Sequence, residues 1–101
     1  MTKVVITGSK GRMGQALVAC AARMPEIQVV GQIDQGDDLK AIIDGADAVI
    51  DFSFHSVTAS VAEVCAARKK ALVIGTTGHS DAEKASIIPR AKEIPIVWAS
   101  N

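Results

Sequence analysis

The sequence predicts an α/β chain built as a doubly wound parallel sheet of about five strands. Three observations predict it. Short runs rich in Val and Ile recur at even intervals, helical patterns separate them, and each run ends in small or polar residues.

The runs are Val4-Val5-Ile6, Val29-Val30, Ala48-Val49-Ile50, Leu72-Val73-Ile74 and Ile94 to Trp98. Short runs without polar alternation suit strands covered on both faces. Between the first two, Met13, Leu17, Cys20, Ala21 and Met24 fall at helical spacing. That spacing predicts a helix packed through this face and stopped by Pro25, which lacks an N–H and disfavours helical dihedrals before it. A shorter second helix is predicted around Asp38 to Asp44, with Gly45 at its end. In the third helix Val57, Val61, Val64 and Cys65 form the apolar face, and Arg68, Lys69 and Lys70 stand at the carboxyl end, where cations suit the dipole. The fourth opens on Ser80-Asp81-Ala82-Glu83, a capping-box pattern. Strand–helix alternation repeated in this way predicts right-handed crossovers.

A chain of 101 residues fits one domain, spanning residues 1–101. Its 11 basic and 11 acidic side chains cancel, which argues against nucleic acid or an acidic membrane held by bulk electrostatics. No basic segment leads into an apolar one, and no apolar run approaches the ~20 residues of a membrane span. A soluble, cytoplasmic protein is expected. Cys20 and Cys65 make no disulfide framework and no metal-ligand pair, and on apolar helix faces both are expected to be packing residues.

In open α/β sheets the ligand lies outside the carboxyl ends of the strands. Here those ends carry Thr7-Gly8, Asp34, Asp51 to Phe54, Gly75-Thr76-Thr77-Gly78 and Ala99-Ser100-Asn101. The strongest motif is Gly8-Ser9-Lys10-Gly11-Arg12-Met13-Gly14. Gly8 permits a sharp turn, Gly11 lets backbone approach a pyrophosphate, and Gly14 lets the helix pack closely on the sheet. Unpaired N–H groups at the helix start would then hold the phosphates. Lys10 occupies the middle glycine position of the usual G-x-G-x-x-G, and the motif alone also fits a plain turn with a close helix. The strand before it, the helix after it and Asp34 twenty residues beyond Gly14 turn the reading toward a dinucleotide fingerprint.

Asp34 is expected to accept from the adenosine ribose hydroxyls, the alternative being a solvated turn residue. Gln35 and Gly36 supply no cation for a 2′-phosphate, which favours NADH; Lys10 or Arg12 can still neutralise phosphate, so NADPH stays open. Gly75 to Gly78 offers two threonine hydroxyls to a carboxamide or carboxylate, or is a simple strand-to-helix loop. His55 and His79 follow strand ends and read more readily as solvated loop residues than as proton donors. Trp98 either fills core or meets a partner segment.

With GRMG, IDFS and IGTTG in this order across the whole length, the chain resembles the amino-terminal nucleotide-binding domain of the dihydrodipicolinate (4-hydroxy-tetrahydrodipicolinate) reductases. The resemblance implies a Rossmann-like fold and an NADH- or NADPH-dependent oxidoreductase of bacterial diaminopimelate and lysine biosynthesis. It implicates Gly8, Ser9, Lys10, Gly11, Arg12, Met13, Asp34, Gly75, Thr76, Thr77, Ala99, Ser100 and Asn101 in holding cofactor, with Thr77 also near the substrate. Family members continue into a second domain that binds substrate, carries a His-His…Lys motif and builds a homotetramer. No such segment is present here, so the expectation is a nucleotide-binding part that binds cofactor but does not turn over, with no catalytic residue of its own. A standalone NAD(P)-sensing module and the nucleotide domain of another two-domain dehydrogenase are the alternatives.

Overall fold

The computed structural model describes residues 2–34 and 38–98, and among them five strands form one parallel sheet in the order β2-β1-β3-β4-β5. The strands are β1 (Thr2–Thr7), β2 (Ile27–Ile33), β3 (Ala48–Asp51), β4 (Ala71–Ile74) and β5 (Ile96–Trp98). Helix α1 (Arg12–Ala21) joins β1 to β2, α2 (His55–Arg68) joins β3 to β4, and α3 (Asp81–Ile87) follows β4. The fold class read from the sequence is therefore the one observed.

Strand order reverses at β1, with β2 on one side and β3 on the other. On one face, Val5, Val49, Leu72 and Ile74 pack beneath Val61, Ala62, Cys65 and Ala66 of α2 and Ile87 of α3. Val4 and Ile6 alternate with Val5 and point to the opposite face, where α1 crosses β1 and β2; both are buried. A bulge in β2 accommodates Val30, since Val4 pairs with Val29 while Val5 pairs with Gly31.

Several local expectations are corrected. Helix α1 ends at Ala21, ahead of Pro25, and among its residues only Gly14 and Ala21 are buried. Met13 is 60% exposed, Met24 is exposed and Cys20 faces solvent, so Cys20 is not the packing residue its spacing suggested. Small residues make that contact instead, because Gly14 seats directly against the main chain of Gly8 and Ser9. The predicted second helix is a pair of 3-10 turns, Leu39–Ala41 and Ile43–Gly45, the first capped by Asp38 through the Lys40 N–H. In α2 the buried stripe runs through Thr58, Val61, Ala62, Cys65 and Ala66, while Val57 is exposed and Val64 only half-buried. Ala62 and Ala66 let this helix lie close to the sheet. Ile94 precedes β5 rather than opening it, though it is buried.

The remaining helix-end signals hold. The Ser80 hydroxyl accepts from the Glu83 N–H while the Glu83 carboxylate accepts from the Ser80 N–H, completing the capping box at α3. Helix α2 stops at Arg68, with Lys69 in the left-handed region (φ 58°) and Arg68 paired to Asp44 at 2.7 Å.

Candidate nucleotide-binding site

The reversal of strand order opens a crevice at the carboxyl ends of β1 and its neighbours, and two adjoining compartments occupy it. The first, about 380 Å3, is lined by Gly11 to Gly14, Phe52 to His55 and Gly75 to Thr77. The second, about 610 Å3, has an apolar wall including Ile33, Leu39, Val57, Val61 and Val64, with Asp34, Asp38 and Lys40 among its polar members. Gly11, Phe52, Ser53 and Phe54 line both. The valines that α2 turns away from the sheet, and the exposed Met13, thus find their place as cavity wall.

The glycine-rich turn is fixed by close approach. Gly8 has φ +68°, and a Cβ there would run into the Phe52 carbonyl; a Cβ on Gly14 would run into the Gly8 carbonyl. The turn is also tied to the end of β2. The Ser9 N–H and hydroxyl donate to the Ile33 carbonyl at 3.2 and 3.3 Å, and the Lys10 N–H donates to Asp34 Oδ2 at 2.8 Å. Ser9 therefore points inward, and its amide and that of Lys10 serve the turn itself. The open amides are those of the first turn of α1: the first helical bond runs from the Gln15 N–H to the Gly11 carbonyl, so Arg12, Met13 and Gly14 have no acceptor within the helix. Those N–H groups, at the positive end of a ten-residue helix, line the first compartment.

At the other end of the crevice, Gly75 lies beneath the Phe52 ring, which occupies the space a Cβ would need. Only one of the two threonine hydroxyls expected on the loop after β4 is exposed. Thr76 is buried and its hydroxyl faces Asp51 and the Ser53 carbonyl, whereas Thr77 is open to solvent. Thr76 can line the site through its main chain, but its side chain is committed to the protein.

The histidines and cysteines are also placed. His55 Nδ1 lies 2.9 Å from the Glu83 carboxylate, whose pKa is held below the usual carboxylate range by the Ser80 N–H and then by His55. His79 Nε2 meets the Thr58 hydroxyl at 2.9 Å, and its ring stands edge-on to Trp98 at 5.0 Å. Trp98 packs half-buried against the core, the first of its two expected roles. Burial, and secondarily the Asp51 carboxylate, pushes the Cys65 thiol up to about 12.

The structure brings Gly8, Gly11, Arg12, Met13, Asp34, Gly75, Thr76 and Thr77 to one crevice. Gln35, Gly36, Ala99, Ser100 and Asn101 lie outside the described residues. Sequence reasoning placed Asp51 to Phe54 among the strand ends of the site without giving the two phenylalanines a role, and it passed over Leu39 and Lys40 as lining residues. The signal for the two phenylalanines was their place just past β3; nothing local marked Leu39 or Lys40, because only the chain's return across the end of β2 brings them there.

Comparison with known proteins agrees with this geometry. The family model for the amino terminus of dihydrodipicolinate reductase matches residues 2–101. The chain is 42% identical over its whole length to a 4-hydroxy-tetrahydrodipicolinate reductase of Akkermansia muciniphila, of which it covers 41%, and 37% identical to one of Geobacter sulfurreducens, of which it covers 46%. It thus spans rather less than half the length of these relatives. Among solved structures, a dipicolinate-bound dihydrodipicolinate reductase of Paenisporosarcina sp. TG-14 superposes with a TM-score of 0.76 at 20% identity, over 90% of this chain and 43% of that one. A pyrroline carboxylate reductase of Plasmodium falciparum with NADP bound superposes with a TM-score of 0.63 at 16% identity, over 96% of this chain and 41% of that one.

Proposed function

This chain belongs to the dihydrodipicolinate reductase family, matching the amino-terminal part of its members, and from that premise we propose that it is the nicotinamide-dinucleotide-binding part of a 4-hydroxy-tetrahydrodipicolinate reductase. The observation that carries this reading is the meeting of two compartments at the open first turn of α1, where the strand order reverses. A dinucleotide is two nucleosides joined by a pyrophosphate, and the crevice is divided in the same way.

The residues fit the group. The N–H groups of Arg12, Met13 and Gly14 would hold the pyrophosphate, and the apolar wall of Ile33, Leu39 and Val57 would hold adenine, with Asp34 accepting from ribose hydroxyls. Gly75, the Thr76 main chain and Thr77 would take the nicotinamide end, with Thr77 nearest the substrate. NADP bound to a structural neighbour is consistent with a nucleotide of this class in such a crevice. The cofactor, when bound, supplies a hydride to an unsaturated cyclic dicarboxylate.

What this chain's residues do is bind and orient. His55 meets Glu83 through Nδ1 and His79 meets Thr58 through Nε2, and in this reading the proton required in the reduction is assigned to the remaining length of the relatives. Hydride transfer also needs the substrate held in a near-attack geometry. In this reading that task, and assembly into a homotetramer, belong to the remaining length of the relatives, and the whole acts in cytoplasmic lysine biosynthesis. NADH is the favoured cofactor, since Asp34 and Asp38 line the adenosine compartment; Lys40, in the same wall, keeps NADPH a weaker alternative.

A fluorescence titration with NADH, in the presence and absence of 4-hydroxy-tetrahydrodipicolinate, tests the reading. Saturable binding without NADH oxidation is expected. Absence of binding would overturn the nucleotide assignment, and oxidation by the 101-residue chain alone would overturn the division of labour.

A further inference from the structure

Asp51 ends β3 with no solvent exposure, and among the described residues no cation pairs with it. Hydroxyls and one amide take that place. Its Oδ1 accepts from the Thr7 hydroxyl at 2.5 Å, the Ser53 hydroxyl at 2.5 Å and the Ser53 N–H at 3.3 Å. Its Oδ2 accepts from the Thr58 hydroxyl at 2.8 Å and lies 3.1 Å from the Thr76 hydroxyl, whose proton it shares with the Asp51 carbonyl at 3.1 Å and the Ser53 carbonyl at 3.3 Å. A buried carboxylate held by so many donors is tolerable, but an apolar residue would serve a core at least as well. The reason for a carboxylate here lies in where the donors come from.

Thr7 precedes Gly8 of the glycine-rich turn, Ser53 lies between the two phenylalanines shared by both compartments, and Thr76 sits between Gly75 and Thr77. Thr58 belongs to α2, and its hydroxyl, having given its proton to Asp51, accepts from His79 Nε2. One side chain thus joins all three strand-end loops that line the first compartment to the helix behind them. We propose that Asp51 is a positioning residue for the nucleotide: its carboxylate holds the loops after β1, β3 and β4 in one spatial relation, so that the two compartments align for a single elongated ligand. The proposal rests on the dinucleotide reading above.

The substitution Asp51→Asn keeps the shape and replaces one acceptor oxygen with an NH2 group facing hydroxyls already committed as donors. The test compares the variant with the unchanged chain at a temperature where circular dichroism gives both the same helical content. NADH affinity should fall by about tenfold or more, the scale of one lost charge-assisted hydrogen bond. Amide hydrogen exchange, measured without ligand, should quicken at Ser53 and from Gly75 to Thr77 while Val5 and Val49 stay protected. A folded variant with unchanged affinity and unchanged loop exchange would overturn the proposal.

If Asp51→Asn does not fold, the pair Thr58→Val and Thr58→Ser takes its place, since Thr58 lines neither compartment. Thr58→Val should weaken NADH several-fold and quicken loop exchange, and Thr58→Ser should restore both. Equal behaviour of the two variants would overturn the proposal. If the unchanged chain fails to bind NADH, the dinucleotide reading falls, while the ligand-free exchange comparison still decides whether Asp51 orders the loops.

Discussion

The two ends of the crevice are built by different means. At the β1–α1 end, shape comes from main chain packed on main chain, with Gly8 against the Phe52 carbonyl, Gly14 against the Gly8 carbonyl, and the turn tied by amides to Ile33 and Asp34. At the β3–β4 end, shape comes from side chains gathered on the Asp51 carboxylate and from the Phe52 ring laid over Gly75. The first arrangement suits an anion, which needs rigid amides at short range. The second leaves room for the loops to be tuned by single hydroxyls. One crevice is thus shaped by sterics at the end that presents open amides and by hydrogen bonding at the other.

The largest effect is expected at the steric end. Gly8→Val should destabilise the fold by about 3 kcal/mol or more in urea denaturation, because the backbone is left-handed there and the side chain has no room. A loss below about 1 kcal/mol would break the contrast, because sterics would then not govern that end. At the other end, Gly75→Val should displace the Phe52 ring and weaken NADH by about tenfold while weakening 5′-AMP much less, as seen by calorimetric titration. Equal losses for both ligands would merge the two ends into one.

A smaller effect is expected at the tie between the turn and β2. Asp34→Ala should weaken NADH several-fold and NADPH less, if, as proposed, the carboxylate accepts from the ribose of the former and repels the phosphate of the latter. Equal losses would mean that Asp34 acts by holding the turn, as through its bond to the Lys10 N–H, and not as a ribose acceptor. The smallest effect sharpens the side-chain end. Cys20 is exposed and Cys65 buried, so a thiol reagent at neutral pH should label Cys20 quickly and Cys65 only on unfolding. Because the folded-state thiol of Cys65 titrates near 12, above the unfolded value of about 8.5, the folded chain keeps a proton that the unfolded chain loses. Stability should therefore decline as pH rises above about 8.5, a slope that Cys65→Ala removes and Asp51→Asn reduces.

How much of this was readable in advance follows from the same contrast. Steric devices leave marks in local sequence: glycines at Gly8 and Gly14 after a Val-Ile run, and Asp34 at the next strand end, placed the first end of the crevice. The capping box at Ser80 and Glu83 was equally local. The Asp51 cluster was not readable, because it exists only once β3 pairs with β1 and brings Thr7 opposite Asp51, with β4 on the other side bringing Thr76 near. Periodicity announced apolar stripes on α1 and α2 but not which stripe meets the sheet. Close packing chose small residues, Gly14 and Ala21 in one helix and Ala62 and Ala66 in the other, and left Met13 and Val57 to line the crevice. The second helix failed to form because Ile42 and Ile43 are drawn to the core and to the space above Gly31, which suits two tight turns better than one continuous helix.

Amide chemical shifts during an NADH titration of the 15N-labelled chain decide whether both ends of the crevice serve one ligand. Shifts at Arg12 to Gly14, Asp34 and Gly75 to Thr77 should saturate together, with one dissociation constant. Shifts confined to one end, or saturating at different concentrations at the two ends, would contradict a shared ligand.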